Sequence, residues 1–447
     1  MKQFTLEEKN EVLETPFIHI HRKLDVLLNI AKLLMECGAD TVRMVSEIQQ
    51  AATFMGIPHN YLNIHISYTT IMINIFHEER SITVFRKTPI HIPNMAMINA
   101  VSKLTWRAFE RHYSLTTYER LVGKLQQTIP VYPVWAKGIA CALGSAGLAY
   151  LYSADIIALV VTFICSLCGY FMRVVSQRLG FNEYLGNAIC AFTAMFIAYG
   201  FYTFIELGSL VYVLVCCTLF MIPGVPLINS VIDTINNHIL SGITRAIRTL
   251  LIVGSMTLGM AMALYFSPLP AFNFVDIKPH IFSIAQIIGS FVSAASFAVL
   301  FNSPARLLPY IGLGGGVCVA IRNLMLLEYG FALPGATFIG AAVMSVIFVK
   351  LSTWLRTSGP VLVVPSAIAL MPGILLYRFL FDILHINSLN ESGLLYMAQN
   401  GTTGILSIVG IAVGVAVPNV LAQRYLQKRK IQRTQELMAT RHACDGQ

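Results

Sequence analysis

From Pro133 to about residue 422 the chain reads as a succession of apolar runs separated by short polar seams. The runs lie near 134–152, 156–172, 185–205, 208–222, 246–266, 281–301, 305–327, 333–354, 361–381 and 402–422. Most approach the ~20 residues that a helix needs to cross ~30 Å of hydrocarbon, so the pattern predicts about ten transmembrane helices. The first 132 residues follow a different rhythm. Leu24, Leu27, Leu28, Ala31 and Leu34 recur at helical spacing between Lys23 and Cys37, Gly38 stops that helix, and Asp40 can cap a second one reaching about Met55. Residues 62–76 and 81–86 are β-branched and flank the polar turn His77-Glu78-Glu79-Arg80, which predicts a hairpin. Helices near 94–111 and 115–128 complete a mixed α/β domain.

Two of the apolar runs are interrupted in the same way. Pro223-Gly224 is followed by Asp233, and Pro372-Gly373 by Asp382, with the two copies 149 residues apart. A membrane helix tolerates such a break only where surrounding protein or a water-filled cavity re-satisfies the freed backbone groups. The same 149-residue offset relates Arg173 to Arg322 and Gly186 to Gly335. Five spans per half force the second half to enter the membrane from the opposite side. The expectation is therefore two inverted five-helix repeats, the architecture of many secondary transporters. The domains expected are 1–132 (α/β), 133–273 (first repeat), 274–422 (second repeat) and 423–447 (a basic tail).

Composition supports this division. The chain is 56% hydrophobic and 12% charged, too little polar surface for a soluble globule of 447 residues. Residues 1–133 hold 14 Lys/Arg and 12 Asp/Glu, whereas 134–422 hold 11 and 8. The N-terminus carries four glutamates and no apolar core of signal-peptide length, so the α/β domain is expected in the cytoplasm. Arg173, Arg178, Arg245, Arg248, Arg306, Lys350 and Arg356 then fall at inner loops or ends with the basic tail, and only Lys278 lies clear of a span outside. That distribution places both termini inside. The net charge of +9 is met by anionic headgroups and calls for no nucleic acid. Most of the nine cysteines lie within apolar runs, and Cys165-x-x-Cys168 stands mid-span with no second pair, so helix packing explains them.

The segment Met221-Ile-Pro-Gly-Val-Pro-Leu-Ile-Asn229, with the Ile71–Lys87 hairpin before it and Leu370-Met-Pro-Gly373 after it, resembles the bacterial threonine/serine exporter (ThrE) family. The resemblance spans nearly the whole chain, in a fused form carrying both halves that some relatives hold on separate polypeptides. It implies export of small hydroxy amino acids driven by the proton motive force across the inner membrane, and some split relatives are associated with dicarboxylates. The partners implied are a small solute, protons and the lipid bilayer, with no cofactor. The oligomeric state stays open, a homo-oligomer included.

Physical chemistry suggests how such a substrate could be held. A helix restarting at Leu227, with Pro226 in its first turn, would offer unpaired N–H groups and a dipole to a carboxylate. Asn229 and Asp233 share a face of that half-helix. Either could meet an ammonium or hydroxyl, or Asn229 could merely cap and Asp233 stand in water. In the second copy Tyr377, Arg378 and Asp382 give a charged face whose simplest form is an Arg378–Asp382 ion pair. Arg322, inside an apolar run at a cost of roughly 2.5–3.5 kcal/mol, would bind a carboxylate or snorkel outward. The candidate substrate residues are thus Pro223, Gly224, Asn229, Asp233, Arg322, Pro372, Gly373, Tyr377 and Arg378. Asp233 and Asp382 are the candidates for proton coupling, with His238 an alternative.

Other classes fare worse. A membrane-anchored hydrolase could draw on His59, His65, His77, His91, Asp40, Glu78 and Glu79, but these lack metal spacing of the H-E-x-x-H kind and no G-x-S-x-G occurs. Gly312 and Gly314–Gly316 are not preceded by a strand or followed by Lys-Ser/Thr, which disfavours a nucleotide loop and favours helix packing. No charged ring or filter sequence suggests a channel.

Overall fold

The computed structural model describes residues 6–77, 80–88, 92–205, 210–267, 284–355 and 357–445. Glu78, Glu79, His91, Glu206, Lys278 and Arg356 lie outside the described residues. The chain divides into two compact units. One comprises Met1–Pro130, Asn236–Ser241 and Tyr425–Gln447; the other comprises Val131–Ile235 and Gly242–Arg424.

In the first unit helix α1 (Leu6–Glu36) starts well before the expected Lys23. Its residues Leu24, Leu27, Ala31 and Leu34 are fully buried. Gly38 ends it at φ +74°, where a side chain would be strained. Asp40 then caps α2 (Thr41–Phe54) by accepting from the Arg43 N–H at 2.9 Å. The expected single strand over 62–76 is in fact two, β1 (Leu62–Ile66) and β2 (Thr70–His77). Ser67 N–H donates to Thr70 O at 2.9 Å and closes the turn between them. With β3 (Arg80–Lys87) they form an antiparallel sheet in the order β1-β2-β3. Ile71, Ile73 and Ile75 point to the core, while Met72 and Phe76 point outward, as the period of two requires. Asn94 caps α3 (Met95–Glu110) and Ser114 caps α4 (Leu115–Thr128). The two helices are joined by a buried Thr105–Tyr118 hydroxyl bond of 2.9 Å. Burial, with Glu36 beside it, pushes the Cys37 thiol up to about 12, so this cysteine is an inert packing residue.

The second unit is a bundle of apolar helices, and the protein is a multi-pass membrane protein. Its helices are α5 (Val134–Leu151), α6 (Ile156–Arg178), α7 (Glu183–Phe204), α8 (Leu210–Cys216), α9 (Gly224–Ile235) and α10 (Ile239–Tyr265). After them come α11 (Ile284–Leu300), α12 (Leu308–Leu327), α13 (Leu333–Trp354), α14 (Gly359–Ala367), α15 (Gly373–Leu384) and α16 (Glu391–Asp445). Among the described residues seven helices are long and apolar enough to cross a membrane, or nine if each bent pair counts as one span.

Three sequence expectations are corrected. The fourth run does not end at 222: past its Pro-Gly break it continues as a 12-residue helix, bent by 61°, as the ninth run does past Pro372-Gly373 with a bend of 55°. Helix α10 begins at Ile239, ahead of the expected 246, so Arg245 and Arg248 stand well inside the helix and not at its end. Helix α16 begins at Glu391, ahead of 402, and runs on through the basic segment to Asp445.

The 149-residue register extends to the backbone. The 3-10 turns Leu219–Met221 and Ile368–Leu370, and the helices starting at Gly224 and Gly373, occupy matching positions. Gly224 N–H donates to Ile222 O at 2.8 Å, and Gly373 N–H to Met371 O at 2.8 Å. Contacts between the halves are reciprocal. Ser293 Oγ donates to Gly144 O at 3.1 Å, two residues 149 apart. A Cβ added at Gly144 would lie 3.3 Å from Ser296 Cβ, and one at Gly147, the counterpart of Ser296, would lie 3.0 Å from Ser293 N.

The crossing of α5 with α11 is held by glycine. A Cβ at Gly289 would stand 2.7 Å from Gly147 O and 2.8 Å from Leu151 N, both backbone atoms that cannot swing aside. Gly289→Val should therefore destabilise the protein by about 1–3 kcal/mol, read as a lower Tm in detergent. Gly254→Ala, where nothing lies within 4 Å, should leave Tm unchanged or slightly raised.

Candidate functional site

The two interrupted segments meet. A Cβ placed on Gly373 would lie 2.8 Å from Leu219 Cδ2 and 3.0 Å from Ile222 Cδ1. One placed on Gly224 would lie 3.5 Å from Ile368 Cγ1 and 3.6 Å from Met371 Cε. Ile368 and Met371 are the residues 149 beyond Leu219 and Ile222, so each break packs on the equivalent residues of the other. Both half-helices thus start close to one place. Helix α9 restarts at Gly224, three residues before the expected Leu227, and Pro226, which has no N–H, sits in its first turn. No side chain caps α15, whose N-cap is Pro372.

Asn229 lies within α9, so it does not cap the restart; it is buried beside Ser230. Asp233 is fully enclosed, not in water. Its Oδ2 is 3.0 Å from Nε of Arg245 on α10, whose side chain is 4% exposed. This buried ion pair ties the half-helix to the next span. An expected span of 246–266 leaves Arg245 at its end, where no partner is demanded, whereas inside α10 the arginine needs one. One turn on, Arg248 Nη2 pairs with Glu183 of α7 at 2.6 Å. His238 is half-buried in the turn between α9 and α10.

In the second half Tyr377 is buried, and its Oη has no hydrogen-bond partner among the described residues. It packs in the cluster formed by Cys216, Cys217, Leu219 and Met221 of the first interrupted segment. Arg378 and Asp382 stand one turn apart on α15, half-buried and within electrostatic range of each other. Arg322 does not stand alone. Its Nε and Nη2 donate to Asn323 Oδ1 at 3.0 and 2.9 Å, and Asn323 Nδ2 donates to Gln286 Oε1 at 2.6 Å. A residue that the sequence did not suggest joins this group. Tyr152, at the end of α5, stacks on Tyr212 with ring centroids 6.2 Å apart, and its phenol lies within electrostatic range of both Arg322 and Arg378. A tyrosine ending a span reads as an interfacial anchor, which hid it.

The hydrolase candidates are dispersed. Thr53 Oγ1 is bonded to His59 Nε2 at 3.1 Å, His65 is exposed on the sheet, and Asp40 is engaged as a helix cap. The glycine cluster packs as expected, Gly312 against Phe291, Gly315 against Ala294 and Gly316 against Ile287.

Two family models match the chain. One, ThrE, described as "Putative threonine/serine exporter", matches residues 25–267. The other, described as "Threonine/Serine exporter, ThrE", matches residues 286–421. No solved structure matches it significantly.

Proposed function

The chain belongs to the threonine/serine exporter family, and on that premise we propose that it exports threonine and serine across the bacterial inner membrane as a proton-coupled secondary transporter. The observation that carries this proposal is the reciprocal contact of the two Pro-Gly breaks. Interrupted helices meeting at a two-fold axis are the common construction of a carrier that exposes one site alternately to each side. The proposed membrane unit has ten spans in two inverted repeats of five, with the 17-residue α11 as the counterpart of α5. Both termini are assigned to the cytoplasm. In support, the turn 236–241 and the segment from Tyr425 belong to the same compact unit as the N-terminal domain.

We assign the substrate carboxylate to the start of α9 at Pro223-Gly224, with Pro372-Gly373 providing the equivalent helix start. Asn229 and Tyr377 supply neutral polar contacts, and Arg322 and Arg378 attract the anion on its way out. Asp233 and Asp382 are assigned to proton coupling. For Asp233 the coupling event would be exchange of its Arg245 partner for a proton. A dicarboxylate is the second reading, favoured by two cations, Arg322 and Arg378, within range of one phenol.

Efflux from proteoliposomes loaded with labelled threonine, serine or succinate, with and without an imposed pH gradient, tests both. Gradient-dependent efflux of threonine and serine is the expected result. Efflux of succinate alone would establish the second reading, and efflux of none would overturn the transport assignment for these solutes.

A further inference from the structure

One buried amide of the first half lies apart from the two breaks. Asn187 of α7 is 1% exposed, and neither Nδ2 nor Oδ1 has a hydrogen-bond partner among the described residues. An unsatisfied amide in such surroundings is costly. Its orientation follows from its neighbours. A Cβ on Gly186 would lie 3.5 Å from Ser176 Cβ of α6, while the backbone of Ala188 abuts Gly259 of α10. At 100° per residue, Asn187 therefore points into the wedge between α6 and α10. The rest of that face is Cys190, Ala191, Ala194 and Ala198, all fully buried and small.

The facing side of α6 carries a second unpaired donor. Arg173 Nε is enclosed and has no hydrogen-bond partner among the described residues. Its charge lies within electrostatic range of Cys190, one turn along from Asn187, and of Cys141 on α5. Cys190 Sγ donates to Gly169 O of α6 at 2.9 Å, so the two helices are close here. The comparison with the other half is informative. Arg322, 149 residues later, has its Nε engaged by Asn323, whereas the equivalent donor of Arg173 has no such partner among the described residues.

We propose that Arg173 and Asn187 form a subsite, on the side where α6 ends, that takes a small ligand bearing a carboxylate and a neighbouring ammonium or hydroxyl. The carboxylate accepts from Arg173 Nε–H and Asn187 Nδ2–H. Asn187 Oδ1 needs a donor on the ligand, which a free hydroxy amino acid supplies and a fully ionised dicarboxylate does not. The subsite rests on the transport assignment above and extends it to an entry point for the exported solute.

Ligand-induced thermal shifts of the full-length protein in detergent, titrated with threonine, serine and succinate, test the subsite. A partnerless amide is the one kind of buried polar group whose removal should not harm folding. Asn187→Leu should therefore have an unliganded Tm equal to or above that of the wild type, while its apparent Kd for threonine and serine rises at least tenfold. Asn187→Ala, which adds no bulk, should show the same loss, as should Arg173→Gln. Unchanged Kd values in these variants would overturn the subsite and leave the transport assignment standing. A wild-type shift with succinate alone, abolished in Asn187→Leu, would overturn the ligand class and the hydroxy amino acid assignment together while keeping the location.

Discussion

Asp233→Asn is expected to abolish pH-driven export and also to weaken the protein, because it leaves Arg245 charged and enclosed without its partner. Removing one member of a buried ion pair typically costs about 3–5 kcal/mol, most of it the penalty of the charge left behind. Arg245→Gln should cost a similar amount for the mirror reason. The two effects, on folding and on coupling, separate in a double variant. Replacing the pair by apolar residues of similar size, Asp233→Leu with Arg245→Met, removes both charges and should restore Tm to near the wild-type value. If Asp233 carries the proton, the double variant should insert and remain folded yet show no response of threonine efflux to an imposed pH gradient. A normal gradient response in that variant would remove Asp233 from the coupling role and leave the ion pair as a tie between α9 and α10.

The same pair shows where sequence reading stopped. The Pro-Gly-to-Asp repeat was visible because both copies retain the same residues, and the 149-residue offset followed from it. What the repeat does in three dimensions was not visible, since the residues that meet across the halves are different types: Gly144 faces Ser293, and Gly147 corresponds to Ser296. Hydropathy placed the spans but cut the fourth at its break, because Asn229 and Asp233 look like the start of a polar loop. Their burial is a tertiary property: Asp233 is accommodated only because Arg245 reaches it from the next helix. In the N-terminal domain the caps at Asp40, Asn94 and Ser114 were in plain sight. The turn at Ser67–Thr70 was not, as Tyr68-Thr69 contains no glycine, proline or asparagine to announce it.

If the two breaks separate and rejoin during transport, tethering them should stop it. Leu219→Cys with Gly373→Cys is one pair, and Gly224→Cys with Ile368→Cys is its counterpart 149 residues away. In the first pair the cysteine at 373 would crowd Leu219 Cδ2, but the paired substitution removes that atom. In the second, Ile368 Cγ1 lies 3.5 Å from the added Cβ, so a thiol in its place lies within reach of a short thiol cross-linker. In a background without the native cysteines, the proposed two-fold relation of the halves requires both pairs to cross-link readily under the same conditions. Cross-linking should lower threonine flux by about tenfold or more, as expected when a required conformational step is blocked, and reduction should restore it. Cross-linking of one pair without the other would argue against the two-fold relation. Full flux in the cross-linked protein would show instead that the breaks stay together throughout the cycle, and that access is switched elsewhere in the bundle.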